Sequence, residues 1–137
     1  MQDQEPLMKI MVAFDGTNVS NDALKIGKTY AIAMNASVCL VMSMVGGPEV
    51  PRQEFVKHEH ILNFAKTQFV EAKIPCETHL SVRGLEAGED LVKFAMENEI
   101  DLIIIGVRRI SKVSKLVSGS TAQYVVLKAP CPVLSVK

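Results

Sequence analysis

The chain lacks most of what would mark a dedicated enzyme, a secreted scaffold or a membrane protein. Its three cysteines, Cys39, Cys76 and Cys131, are an odd set with no CxxC spacing, which leaves no disulfide framework and no metal-ribbon pattern. They lie in strand-like segments and read as small core residues of a reducing compartment. No apolar run approaches the ~20 residues that span a bilayer. The start MQDQEPL is acidic, unlike a signal peptide, so the expectation is a cytoplasmic protein that engages no membrane. HExxH, a Walker lysine motif and a nucleophile–base pair are all absent. The expectation is therefore a protein that is not an enzyme, with at most incidental nucleotide hydrolysis. Internal repeats and low-complexity linkers are also missing, so residues 1–137 read as a single domain, long enough to bury roughly two-thirds of its surface.

Acidic residues are missing altogether after Asp101. The formal net charge of zero hides this. The first 101 residues hold all 15 acids against nine bases, whereas the remainder carries only Arg108, Arg109, Lys112, Lys115, Lys128 and Lys137. A neutral whole argues against non-specific nucleic-acid binding, which needs a wide basic face. A basic segment confined to one loop suits a small anion better, or is simply a solvated charged loop.

What is present is a regular alternation of two hydrophobic periods. Lys9 to Phe14 is a short apolar run closed by the turn signal Asp15-Gly16. Thr17, Asn18 and Ser20 offer caps for a helix with the stripe Ala23, Leu24, Gly27, Tyr30, Ala31 and Met34. Val38 to Val45 reads as a strand buried on both faces, ended by Gly46-Gly47-Pro48. A second helix from about Arg52 to Lys73 carries Phe55, His58, Leu62, Ala65, Phe69 and Ala72 inward. Cys76 to Val82 alternates and reads as a strand nearer an edge. A third helix points Leu91, Val92 and Ala95 inward, and its acidic start of Glu86, Glu89 and Asp90 suits the helix dipole. Asp101 to Ile105 is the most strand-like run of all. A fourth helix, Gly119 to Lys128, points Ala122, Val125, Val126 and Ala129 inward, and Val133 to Val136 is a last strand.

The resulting β-α-β-α-β-α-β-α-β order implies an α/β fold with an open parallel sheet, right-handed crossovers and helices on both faces. In such sheets ligands bind beyond the carboxyl ends of the strands, where strand order reverses. Asp15-Gly16-Thr17 and the stretch Gly106 to Ser120 both follow strand ends, and they meet if the first and fourth strands are neighbours. The apolar run Ile103-Ile104-Ile105-Gly106, the basic Arg108-Arg109 and the small cluster Gly119-Ser120-Thr121 together suit phosphate. Helix-start N–H groups and cations both favour anions. Each of these residues also has a plainer reading. Asp15 serves as a turn residue capping the first helix as readily as a ligand contact, and Ser120 and Thr121 serve as helix caps. His58 and His60 suit structural or solvated roles, and the seven methionines are scattered as core filler.

These segments together resemble the universal stress protein family. The family signature G-x2-G-x9-G-[ST] is matched by Gly106-x2-Arg109-x9-Gly119-Ser120, with every spacing kept and arginine at the second glycine. Asp15-Gly16, Asp101 to Gly106, Gly119-Ser120-Thr121-Ala122 and Cys131-Pro132-Val133-Leu134 match as well, so the resemblance covers nearly the whole chain. It implies a Rossmann-like, five-stranded parallel sheet in the order 3-2-1-4-5. It also implies a homodimeric stress-response module that binds ATP or a related adenine nucleotide, which could carry Mg2+. On the matching positions, Phe14, Asp15 and Gly16 would lie by adenine and ribose, and Ser43 and Met44 would line the base. Ile105, Gly106, Arg108 and Arg109 would follow ribose and phosphates, and Gly119, Ser120, Thr121 and Ala122 would bind phosphate. Arg109 either grips phosphate as a bidentate guanidinium or fills the room that glycine leaves, which would make the chain a nucleotide-free dimeric interaction module. The resemblance further implies antiparallel pairing of Pro132 to Lys137 with its copy across a twofold axis.

Overall fold

The computed structural model describes residues 7–107 and 120–137. Five strands and four helices alternate strictly: β1 Lys9–Ala13, α1 Asn18–Met34, β2 Ser37–Met44, α2 Arg52–Glu71, β3 Cys76–Val82, α3 Ala87–Glu97, β4 Leu102–Gly106, α4 Ser120–Lys128 and β5 Val133–Val136. The strands form one parallel sheet in the order β3-β2-β1-β4-β5. This is the order that the family resemblance implied, and β3 and β5 lie at its two edges.

Two-residue alternation along each strand divides the core into two halves. Ile10, Val12, Val38, Leu40 and Ile104 face α1 and α2, where they meet Leu24, Leu62 and Phe69. Met11, Val41, Ile103 and Ile105 face α3 and α4, where they meet Leu91, Phe94, Ala122 and Val125. Because both faces are covered, β1, β2 and β4 are apolar nearly throughout.

Three inward assignments are corrected: Val45 lies just past the end of β2 and is exposed, and two helical residues turn outward. Met34 lies in the last turn of α1, beside the left-handed Asn35 that ends the helix, and it stands largely in solvent. Val126 is also largely exposed, because α4 buries the stripe Ala122-Val125 and turns Val126 and Leu127 outward. Its neighbour Tyr124 leans on α3, where a Cβ at Gly88 would stand only 2.9 Å from that of Tyr124.

All three cysteines are free thiols, with Cys39 buried and Cys76 and Cys131 half-buried. Burial is the first cause that pushes each thiol upward, and it carries Cys76 up to about 11. Since the folded state holds these protons more tightly than the unfolded chain, their contribution is complete below pH 9.0 and is lost as pH rises above it, for Cys76 through about 11. We expect denaturant midpoints to fall across that window. Thiol labelling at pH 8, a test condition, should run far slower in the native protein than in urea. Equal labelling rates in both states would refute the burial argument.

Candidate functional site

The sheet changes direction between β1 and β4. From β1 the chain winds outward through β2 to β3, then returns to the other side of β1 as β4 and continues to β5. Val12 stands opposite Ile104, so the loops that leave β1 and β4 emerge side by side at the carboxyl edge. In open parallel sheets, ligands bind beyond the strand ends at such a reversal.

The β1 loop is tightly built. Phe14 is buried, and its N–H donates to the Val41 carbonyl at 2.9 Å, which carries the β-ladder one residue beyond the strand. Asp15 Oδ1 accepts from the Thr17 N–H at 3.0 Å and from the Thr17 hydroxyl at 2.6 Å. Gly16 sits between them at φ +84°, a left-handed conformation that other residues adopt only with strain. Thr17 in turn caps α1, its Oγ1 accepting from the Ser20 N–H at 3.3 Å. Asp15 is thus a turn residue, as one reading expected, while the cap of α1 is Thr17 and not Asp15. Its carboxylate still stands exposed at the mouth of the sheet.

Gly106 ends β4 directly against the first turn of α1. A Cβ there would come 2.7 Å from the Val19 carbonyl oxygen and 3.0 Å from its carbon. Such contact with backbone leaves no room for a side chain, so this glycine brings the β4 loop against the helix start that Asp15 organises. Ile105, one residue earlier, is buried in the core under α3 and α4 and contributes through backbone and packing. Val107 continues the ladder by donating to the Val136 carbonyl at 2.7 Å. Ser120 and Thr121 open α4, Ser120 exposed and Thr121 half-exposed, while Ala122 is buried beneath them. Arg108, Arg109, Lys112, Lys115 and Gly119 lie outside the described residues.

Ser43 and Met44 occupy the end of β2 and point to opposite faces. The Ser43 hydroxyl is committed to Asp90, donating to Oδ2 at 2.6 Å. Ser81, its register partner on β3, donates to the other oxygen at 2.8 Å, and Arg83 Nε joins it there at 2.8 Å. Arg83 Nη1 continues to Glu97 at 2.7 Å. Asp90 is only 1% exposed, so this carboxylate is a buried junction tying the ends of β2 and β3 to α3. Its reading from sequence, as one of three acids favouring a helix dipole, is incomplete. A signal for its burial was available: Asp90 stands four residues before Phe94, on the inward stripe of α3. His79, which has no visible partner in the sequence, is paired with Glu77 at 3.1 Å and packs against the Phe94 ring.

A parallel sheet whose strand order reverses between β1 and β4 defines a doubly wound α/β fold of the switch-point kind. Residues 6–137 match the model of the universal stress protein family, and the chain belongs to that family. A universal stress protein of Thermus aquaticus is 30% identical over 134 residues, covering 93% of this chain and 97% of the relative. A solved universal stress protein of Archaeoglobus fulgidus is similar at 31% identity and TM-score 0.82, covering 96% of this chain and 95% of that one. A structure of the universal stress protein from the same organism in complex with dAMP is similar at 30% identity and TM-score 0.81, over 95% of this chain and 98% of that one.

The Asp90 junction generates a prediction. Asp90→Ala strands two hydroxyls and part of a guanidinium, and it should cost about 1–3 kcal/mol in urea denaturation, the usual penalty for buried donors left without acceptors. Asp90→Asn keeps one acceptor oxygen and should cost less. An Asp90→Ala midpoint equal to that of the unaltered chain would show that the junction adds nothing.

Proposed function

We propose that this chain is an adenine-nucleotide-binding regulatory protein, working as a homodimer in the response of the cell to stress. The observation that carries the reading is the meeting of Gly106 with Val19, in the first turn of the helix that the Asp15-Gly16-Thr17 turn starts, at the reversal of strand order. A relative 30% identical to this chain was solved with dAMP, which supports the same ligand class here. In this reading Phe14, Asp15 and Gly16 border adenine and ribose, and the end of β2 at Ser43 and Met44 flanks the base. The backbone at Ile105 and Gly106, with Arg108 and Arg109, follows ribose and phosphates. Gly119, Ser120, Thr121 and Ala122 receive phosphate at the start of α4, where N–H groups point outward along the helix axis. Ser43 contributes position, since its hydroxyl proton is already given to Asp90. ATP, with Mg2+ as its companion ion, is the ligand proposed within this class.

Arg109 favours a second reading by standing where the family signature has glycine. There the chain is a nucleotide-free dimeric module whose arginine closes the pocket. Equilibrium titration with a labelled ATP analogue separates the two. Saturable binding that weakens in Arg109→Gly supports a phosphate-holding arginine, whereas binding that strengthens supports a blocking one. No binding at millimolar nucleotide with magnesium would overturn the nucleotide reading.

The proposed dimer uses β5, whose outer edge offers main-chain groups and the half-buried Val133, Leu134 and Val136. The outward Val126 and Leu127 on the preceding helix add apolar surface. Leu134→Lys should shift sedimentation from dimer to monomer at micromolar concentration. A monomer in the unaltered chain would remove the dimer from this reading.

A further inference from the structure

We propose a second, separate site: a transition-metal centre of Cys39, Glu77 and His79, built to take Zn2+ on the α3 face of the sheet. Among the described residues these three bring one ligand atom each, a thiol sulfur, a carboxylate oxygen and an imidazole nitrogen, to within 4.8 Å of one another. The juxtaposition follows from register. Cys39 of β2 stands directly opposite Glu77 of β3, and His79 is two residues farther along the same strand, so all three share one face. His79 Nε2 and the Glu77 carboxylate are already 3.1 Å apart. Tetrahedral zinc, with bonds of about 2.0–2.3 Å, needs ligand atoms about 3.3–3.8 Å from one another. The imidazole and carboxylate are thus within a few tenths of an ångström of coordination spacing, and a rotamer adjustment of about 1 Å brings in the sulfur.

The surroundings suit a borderline-soft dication. A thiolate with imidazole and carboxylate selects zinc or cobalt over magnesium or calcium, which prefer all-oxygen shells. The Phe94 ring lies 4.8 Å from the imidazole at 59° and restricts its orientation from the α3 side. Glu77 is 75% exposed and His79 35%, so solvent reaches the fourth coordination position. Lys9 is the neighbouring cation on this face, and its ammonium is drawn aside to the Asn98 carbonyl at 3.1 Å. Without a cation, the buried Cys39 thiol is disfavoured from ionising by its burial and then by Glu77. A dication would reverse both influences by binding the thiolate and neutralising the carboxylate. Cys39 lies four residues before Ser43 on β2, so this centre is set back along the strand from the proposed nucleotide loops and does not depend on them.

Cobalt(II), titrated into the reduced full-length chain, tests the assignment. The unaltered protein should develop a thiolate-to-cobalt charge-transfer band with tetrahedral d–d intensity, and zinc should abolish both. Cys39→Ser should lose the charge-transfer band, while Cys76→Ser and Cys131→Ser keep it. His79→Gln, at a half-exposed position, should weaken cobalt binding at least tenfold while circular dichroism stays unchanged. If Cys39→Ser fails to fold, the His79 variant decides. A folded unaltered chain without the band, a band at full strength in Cys39→Ser, or unchanged affinity in folded His79→Gln would each overturn the site.

Discussion

The structure depends on the pairing of β1 with β4. Met11, Val12, Ile103 and Ile104 are wholly buried at the centre of the sheet, two facing each helical layer. This pairing joins residues more than ninety positions apart in the chain. It also determines where the chain can be functional, since loops leaving adjacent parallel strands in opposite directions necessarily open a crevice. The contact of Gly106 with the Val19 carbonyl follows from the same pairing. Once β4 lies beside β1, its last residue runs into the helix that β1 launches, and only a residue without a side chain fits there.

Residues whose environment is set by period were legible from the sequence. Ile10 to Ala13 and Ile103 to Ile105 are apolar without interruption because both faces are covered, and they read directly as strands. Cys76 to Val82 alternates because an edge strand is only partly covered, and it read as one. Residues whose environment is set by a distant partner were less legible. Asp90 carries the same chemistry as Glu89 one position before it. One is buried and the other solvated because Ser43, Ser81 and Arg83 converge on α3 from strands whose register no local pattern states. The roll of α4 was hidden for a similar reason. Val125 and Val126 suit an inward stripe equally well, and the choice between them depends on where α4 rests against α3.

At the candidate nucleotide site, the structure adds the internal wiring of the β1 loop to what the sequence offered. Asp15, chosen for its place after the first strand, both caps Thr17 and stands at the sheet mouth. Both follow from its place just after β1, which brings the turn to the carboxyl edge of the sheet. Ser43 is different. Its hydroxyl holds β2 to α3, so what this position can offer a base is the strand end it fixes in place.

That wiring also constrains how negative charge could be met at the carboxyl edge of the sheet. Arg83 lies just past the end of β3, at the carboxyl edge of the sheet. Its Nε is committed to Asp90 and its Nη1 to Glu97, so its charge is already balanced by two carboxylates. A guanidinium held by two acids adds little field for a third anion. In the proposed reading, phosphate charge therefore falls to the helix-start N–H groups and to the cations of the acid-free segment after Asp101. This gives a physical sense to the uneven charge along the chain. The acids of the first 101 residues include those that occupy Arg83, whereas Arg108, Arg109, Lys112 and Lys115 stand in a stretch of sequence that contains no acid. It also sharpens the meaning of arginine at position 109. Where the family signature relies on a glycine and the backbone approach it allows, this chain carries a side chain whose charge is of the sign an anion site needs.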